Sequence, residues 1–279
     1  MRSNFIQCEF GRLHYIANSR RDDRPNLFLL HGNASSAASF LPMMRLLDND
    51  FNLVALDFPG HGKSEFLNAD LFCYYYSMEG LKKVIEIVLA AIGFSNYIAA
   101  GNSLGANILA QSMPSLNGLQ GLILMASIHS SGKEDFFNQV NPDAPSKLSL
   151  KRVLTVDEVN TLTRAFIDAS KWDSDVHRLM FEDIFHADGQ FREQIVRHMP
   201  MQIWPDEIKN LRTSLVPQIY IGGRNDVFIG SEHYRKLSEI VPALESTVYI
   251  LDHVGHIPHL EDPESCANYI HQFIHALCL

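Results

Sequence analysis

From Ile87 to Gly132 the chain carries no Asp, Glu, Lys or Arg. Charged side chains are almost never fully buried unless paired, so a long stretch without them can lie at the centre of a folded molecule. Two short apolar runs stand inside it, YIAA at 97–100 and GLILMA at 121–126. Strands buried on both faces read as continuous apolar runs, which marks a parallel sheet covered by helices. Similar strand-like runs recur at 5–9, 13–18, 26–30, 52–56, 216–221 and 247–251.

Helical patterns separate most of the later runs. In 78–92, Leu81, Val84, Ile85, Val88, Leu89 and Ile92 keep the spacing of one helix face. Ser77 can cap its start and Gly93 can end it. A last helix is predicted from Pro263 to the C-terminus, capped by Asp262, with Cys266, Ile270, Phe273, Ile274 and Leu277 as its buried stripe. Strands alternating with helices imply an α/β fold with a mostly parallel central sheet of about eight strands. The alternation stops between 133 and 213, where helical patterns such as 156–169 and 175–185 replace strands. The expected organisation is a core of 1–132 and 214–279 with a helical cap, or lid, inserted at 133–213. Open α/β sheets bind ligands outside the carboxyl ends of their strands, which such a lid would cover.

Composition narrows the partners. A net charge of −9 argues against a polyanion such as nucleic acid. No apolar run approaches the ~18 residues of a membrane span. The start, MRSNFIQCEFGRLHY, lacks an apolar signal core, so a cytoplasmic protein is expected. Cysteines 8, 73, 266 and 278 form no CxxC and are expected to be free and mostly buried. The 13 histidines form no HExxH, so neither a metal nor a cofactor is expected. Asp183, His186 and Asp188 read as a polar loop. No internal repeat sets an oligomeric state.

Gly101-Asn102-Ser103-Leu104-Gly105 fits Gly-x-Ser-x-Gly. It follows an apolar strand and opens the helical pattern Leu104, Ile108, Leu109, the setting a nucleophile elbow requires. A serine hydroxyl needs a base to take its proton, and the base needs a carboxylate to hold it. The strand at 216–221 runs into Gly222-Gly223-Arg224-Asn225-Asp226. The last strand runs into Asp252-His253 and on to His256 and His259. Acid and histidine thus leave strand ends on the same rim as Ser103. Gly62-Lys63-Ser64 mimics a phosphate-binding loop but has Asp57 where that loop needs glycine.

With those pieces in order, the chain resembles the α/β-hydrolase superfamily over nearly its full length. His31-Gly32, the stretch Asp57 to Ser64, the elbow, Asp226, and Gly255-His256 through Pro263 carry the resemblance. It implies Ser103, Asp226 and His256 as the catalytic triad, because the family's histidine follows glycine in this loop. His253 and His259 are then loop or supporting residues. The oxyanion hole needs two backbone N–H donors. Leu104, after the nucleophile, supplies one. By resemblance Asn33 supplies the other, and its side chain is a candidate substrate contact. Serine at 103, where dehalogenases and epoxide hydrolases use aspartate, implies an acyl-enzyme from an ester, lactone, thioester or amide.

The pieces His31 to Ser36, Pro59 to Ser64, Tyr76 to Gly80, Arg178 to Glu182 and Gly223 to Asp226 are similar to the α/β-hydrolase type of N-acyl homoserine lactone lactonase. Asn102 departs from that type, which has a bulky aromatic there, and is expected to alter one wall beside the nucleophile and to be a second candidate substrate contact. The implied substrate is a small ester or lactone with an apolar acyl group. Gly-Asn-Ser also occurs in carbon–carbon bond hydrolases, although Ile257-Pro258 replace the tryptophan many of those carry. Small-molecule receptors of the same fold with slow hydrolysis are the other alternative.

Overall fold

The computed structural model describes residues 1–198, 204–229, 231–241 and 247–277. Residues 199–203 of the expected lid and Cys278 lie outside the described residues. Eight strands form one sheet: β1 Arg2–Cys8, β2 Gly11–Ala17, β3 Asn26–Leu30, β4 Asn52–Leu56, β5 Tyr97–Asn102, β6 Leu119–Met125, β7 Gln218–Gly223 and β8 Val248–Leu251. Their spatial order is β1-β2-β4-β3-β5-β6-β7-β8. β2 pairs antiparallel with β1 and β4, and every other pairing is parallel.

The apolar runs become the central strands because alternate residues serve opposite faces. Leu27, Leu29, Ile98, Ala100 and Ile123 pack beneath Phe40, Met43, Leu47, Cys266, Ile270 and Ile274. Phe28, Leu30, Ala99, Leu122 and Leu124 face Leu81, Val84, Val88, Ile108 and Leu109 on the other side. Both faces are dry, so the charge-free stretch is the middle of the molecule.

The helix Met78–Ile92 starts on Ser77, whose side chain accepts from the Gly80 N–H, and ends on Gly93 in the left-handed region at φ 70°. The last helix spans Pro263–Ala276, with Asp262 accepting from the Ser265 N–H. Of the three described cysteines, all free, Cys266 is buried, Cys8 is half-buried and Cys73 is exposed. Only Cys266 meets the expectation of burial, because the other two sit on an edge strand and a short outer helix.

Between β6 and β7 lie helices Lys133–Gln139, Val156–Phe166, Asp175–His186, Gly189–His198 and Glu207–Thr213. Thr155 and Glu158 close a reciprocal cap on the second. Asp183 and His186 sit on the third helix rather than in a loop. Asp183 accepts from Ser36 Oγ at 2.9 Å and Asp188 accepts from Tyr76 Oη at 2.8 Å, pinning this segment to the core. Glu207–Thr213 packs on the helix that follows Ser103, with Asn210 donating to the Ala110 carbonyl.

β4 lies on one side of β3 and β5 on the other, so the strand order reverses between β3 and β5. Ligands bind at such a switch point in open α/β sheets. There Leu30 pairs with Gly101, which brings the loops carrying Asn33 and Ser103 together.

Candidate active site

β5 ends at Asn102 and a helix, Leu104–Ser112, begins two residues later. Ser103 makes the turn alone, at φ 50° and ψ −117°. A non-glycine residue held there costs of order 1–3 kcal/mol and persists only where its surroundings over-determine it. Those surroundings need bare backbone. A Cβ on Gly101 would stand 2.5 Å from the Ala106 nitrogen, and one on Gly105 would stand 2.5 Å from the Leu30 carbonyl oxygen. Strand and helix therefore meet closely enough to aim the serine hydroxyl out of the sheet's end.

Two other loops meet it. His256 Nε2 lies 2.9 Å from Ser103 Oγ, and His256 Nδ1 lies 2.7 Å from Asp226 Oδ2. Asp226 Oδ1 accepts from the Phe228 and Ile229 N–H groups at 2.8 and 3.2 Å. Asp226 and His256 are buried. Ser103, Asp226 and His256, drawn from loops as much as 153 residues apart in sequence, thus form one hydrogen-bonded chain. The other two histidines of the loop stay apart. His253 is exposed at φ 58°. His259 is fully buried, stacks on Phe40 and meets Ser39 Oγ at 3.0 Å, and burial pushes it down to about 3.

Asn33 and Leu104 both border the hydroxyl's side of the cavity. Neither backbone N–H donates to a protein acceptor among the described residues. The Asn33 loop is held from below: Ala34, at φ 56°, donates its N–H to His61 Nε2 at 3.2 Å. Burial, reinforced by neighbouring His31, pushes His61 down to about 3. It is neutral at ordinary pH and keeps the lone pair that this bond needs. The Asn33 side chain donates to the Ser149 carbonyl at 2.8 Å, tying the loop to the segment above it.

Asn102 does not form the cavity wall expected of it. It is fully buried and does not border the cavity. Its amide donates to the His256 carbonyl at 3.0 Å, and its oxygen lies beside Gly32. It steadies the histidine loop instead.

Glu261, to which the sequence assigns no role, carries the rest of that loop. Its carboxylate accepts from the N–H groups of Gly255, Ile257 and Asp168 at 2.7–3.1 Å. Gly255 and Ile257 bracket His256 on both sides. Burial pushes Glu261 up to about 7. The one sequence signal for it is its place as an acid directly after the apolar and histidine residues that follow Gly255.

The chain of three groups opens on a cavity of about 530 Å³. Phe136, Val140, Phe166, Ile195 and Phe228 make most of its wall apolar. Among the described residues no three His, Cys, Asp or Glu side chains gather as a metal-ligand set, and no helix is long and apolar enough to cross a membrane.

A model of the alpha/beta hydrolase family matches residues 27–268. An uncharacterized hydrolase, YugF, of Bacillus subtilis is 27% identical over 270 residues, covering 93% of each chain. The pimeloyl-[acyl-carrier protein] methyl ester esterase of Stenotrophomonas maltophilia is 23% identical over 257 residues, 91% of this chain and 94% of that one. Among solved structures, the N-acyl homoserine lactonase AidH, complexed with N-hexanoyl homoserine lactone, superposes with a TM-score of 0.88 at 20% identity. The match covers 99% of this chain and 98% of AidH. The esterase RhEst1 from Rhodococcus sp. gives 0.82 at 19% identity, covering 99% and 98%. At these identities the likeness of the two structures is one of fold.

Proposed function

The chain belongs to the alpha/beta hydrolase family, and from that premise we propose that it is a serine hydrolase that cleaves a small carboxylic ester or lactone through an acyl-enzyme. The observation that carries this reading is the unbroken relay from Asp226 to His256 to Ser103 at the floor of an apolar cavity.

The relay has a direction. Asp226 already accepts two backbone N–H groups, as a carboxylate does, and so accepts from His256 Nδ1–H as well. That leaves the Nε2 lone pair toward Ser103, where it can take the hydroxyl proton. Ser103 Oγ attacks the carbonyl carbon, and the developing oxyanion is met by the N–H groups of Asn33 and Leu104. His256 returns the proton to the leaving alkoxide oxygen. Water then repeats the sequence on the acyl-enzyme. Asp226 stays ionised throughout and stabilises the imidazolium. The apolar wall suits an acyl chain, and the stretch 133–213 serves as the cap that excludes water around it. The lactone option draws on the likeness to AidH, and the ester option on the likeness to the methyl ester esterase.

Ser103→Ala tests the reading. Hydrolysis of p-nitrophenyl butyrate should fall on the order of 10⁴-fold or more, because triad members act as a unit. Wild-type turnover in that variant overturns the assignment. A mass-spectrometric panel of acyl homoserine lactones, aryl esters and thioesters then ranks the substrates. Ligand binding without turnover by the unaltered protein would favour the receptor alternative.

A further inference from the structure

One polar side chain in the cavity wall has no part in the reaction above. Asn107 lies one helical turn past Ser103, and its backbone N–H donates to the Ser103 carbonyl at 3.1 Å. Side chains four apart on a helix share a face, so Asn107 fronts the same cavity as the nucleophile.

The orientation of its amide is fixed. Nδ2 donates to the Ile128 carbonyl at 2.7 Å and to Glu207 Oε2 at 3.0 Å. Both partners present acceptors, so the nitrogen must occupy that side. Glu207 is itself held in place. It is buried, its Oε1 accepts from Gln111 Nε2 at 2.7 Å, and its Oε2 lies 2.7 Å from His129 Nδ1. His129 Nε2 in turn meets Ser127 Oγ at 2.8 Å. This second Ser-His-Glu chain clamps the Asn107 nitrogen from below. The Asn107 oxygen therefore faces away from it, and no donor meets that oxygen among the described residues. It is not among the polar atoms sealed from solvent without a partner, and Asn107 lines both the cavity at Ser103 and a smaller apolar pocket beside it. An acceptor in an apolar wall stays costly until something donates to it.

We propose that Asn107 Oδ1 is a specificity-determining acceptor that reads an N–H or O–H group on the substrate, close to the scissile carbonyl. Glu207 and His129 are its positioning residues. The preferred substrates are then esters or lactones whose acid or alcohol carries an amide or a hydroxyl, rather than plain alkyl esters. This rests on the hydrolase reading and narrows its substrate class.

The test compares matched substrates on the wild-type protein: p-nitrophenyl N-acetylglycinate against its N-methyl counterpart, and p-nitrophenyl 3-hydroxybutyrate against p-nitrophenyl butyrate. At least one pair should favour the donor-bearing member in kcat/KM by about 10- to 100-fold, the discrimination that one unmet buried hydrogen bond gives. In Asn107→Leu the ratio should fall toward one, a change that a merely structural role for Asn107 would not produce. Ratios near one for every pair in wild type, or a ratio that Asn107→Leu leaves intact, overturn the inference. If that variant does not fold, the wild-type ratios decide. Failure of the hydrolase reading looks different, since no member of any pair is then turned over. In that case the comparison is made on Kd values of the matching methyl ketones by calorimetry, where a preference for the donor-bearing member supports the inference and equal affinities overturn it.

Discussion

Replacing Asp226 by Asn changes one atom and should stop the reaction while leaving the fold in place. Among the described residues three donors lie within hydrogen-bond distance of the carboxylate: the Phe228 and Ile229 N–H groups on Oδ1, at 2.8 and 3.2 Å, and His256 on Oδ2, at 2.7 Å. An Asn side chain has one acceptor oxygen to offer them. If the oxygen faced His256, the NH₂ group would oppose two backbone N–H groups and orphan both, at about 1–3 kcal/mol each. The oxygen therefore stays with the backbone pair and the NH₂ group faces the ring. His256 must then accept at Nδ1 and carry its proton on Nε2, the nitrogen 2.9 Å from Ser103 Oγ. In that tautomer it has no lone pair for the serine proton. A wrong-tautomer triad loses ~10⁴ in kcat, which is roughly 5.5 kcal/mol of transition-state stabilisation. The assay is steady-state kcat on p-nitrophenyl butyrate beside a thermal melt. The expected pair of results is a kcat loss of that order with a melting temperature within a few degrees of wild type. Asp226→Asn that melts normally and keeps more than about a tenth of kcat would refute the tautomer argument.

Two further substitutions test what holds the site. Gly105→Ala would bring a Cβ to 2.5 Å from the Leu30 carbonyl oxygen and 2.8 Å from that of His31; both are backbone, so the end of β3 must shift by several tenths of an ångström. The expected outcome is a loss of about 1–3 kcal/mol in urea unfolding together with a reduced kcat, because β3 carries the Asn33 loop. Asp183, which burial pushes up to about 7, favours the protonated form in the folded state. Its ionisation therefore destabilises the fold above pH 7, and that penalty fades as pH falls toward the ordinary carboxylate range near 3.8. Asp183→Asn, which can still accept from Ser36, should raise stability at pH 8 on the order of 1–3 kcal/mol and leave it nearly unchanged at about pH 4. Equal effects at both pH values in thermal melts would contradict the sign.

The sheet and the elbow around Ser103 were legible because each rests on a local rule, whereas the choice of Asp226 and His256 as its partners came from the family resemblance. A strand buried on both faces must be apolar throughout, and β3 through β6 advertise themselves that way. An elbow must have bare backbone on both sides of its serine, and Gly101 and Gly105 supply it. What stayed hidden depends on the third dimension. Asn102 and Asn107 are the same residue type on either side of Ser103, yet one turns into the core and the other into the cavity. That choice is set at the point where a strand's two-residue period gives way to a helix's 3.6, which no single-sequence pattern resolves to one residue. Glu261 was hidden for a related reason. Its partners, the amides of Gly255, Ile257 and Asp168, carry no side-chain signature at all.

The contacts between the β6–β7 segment and the core are unevenly spread, and that unevenness bears on how a substrate reaches Ser103. Near the histidine loop, the His256 N–H donates to the Phe166 carbonyl at 2.8 Å, the Asp168 N–H donates to Glu261, and Asn225 donates to Asp168. A Cβ on Gly255 would stand 2.9 Å from the Asp168 nitrogen, so backbone lies on backbone there. On the opposite flank Asp183 meets Ser36, Asp188 meets Tyr76, and Phe191 packs edge-on against His61. One flank holds the Asn33 loop and the other the His256 loop, so lifting the first would disturb the oxyanion donors and lifting the second the relay. Residues 131–158 contrast with both, since none of them is buried. They include Phe136, Val140, Pro145 and Leu150 of the cavity wall, with Phe137 47% exposed beside them. Segments with little buried surface open at the least free-energy cost. Opening 131–158 breaks the Asn33 bond to the Ser149 carbonyl and the Asn141 bond to the Val227 carbonyl but none of the bonds that join Asp226, His256 and Ser103, so the base and its carboxylate stay in register and only the Asn33 side chain must be re-tied.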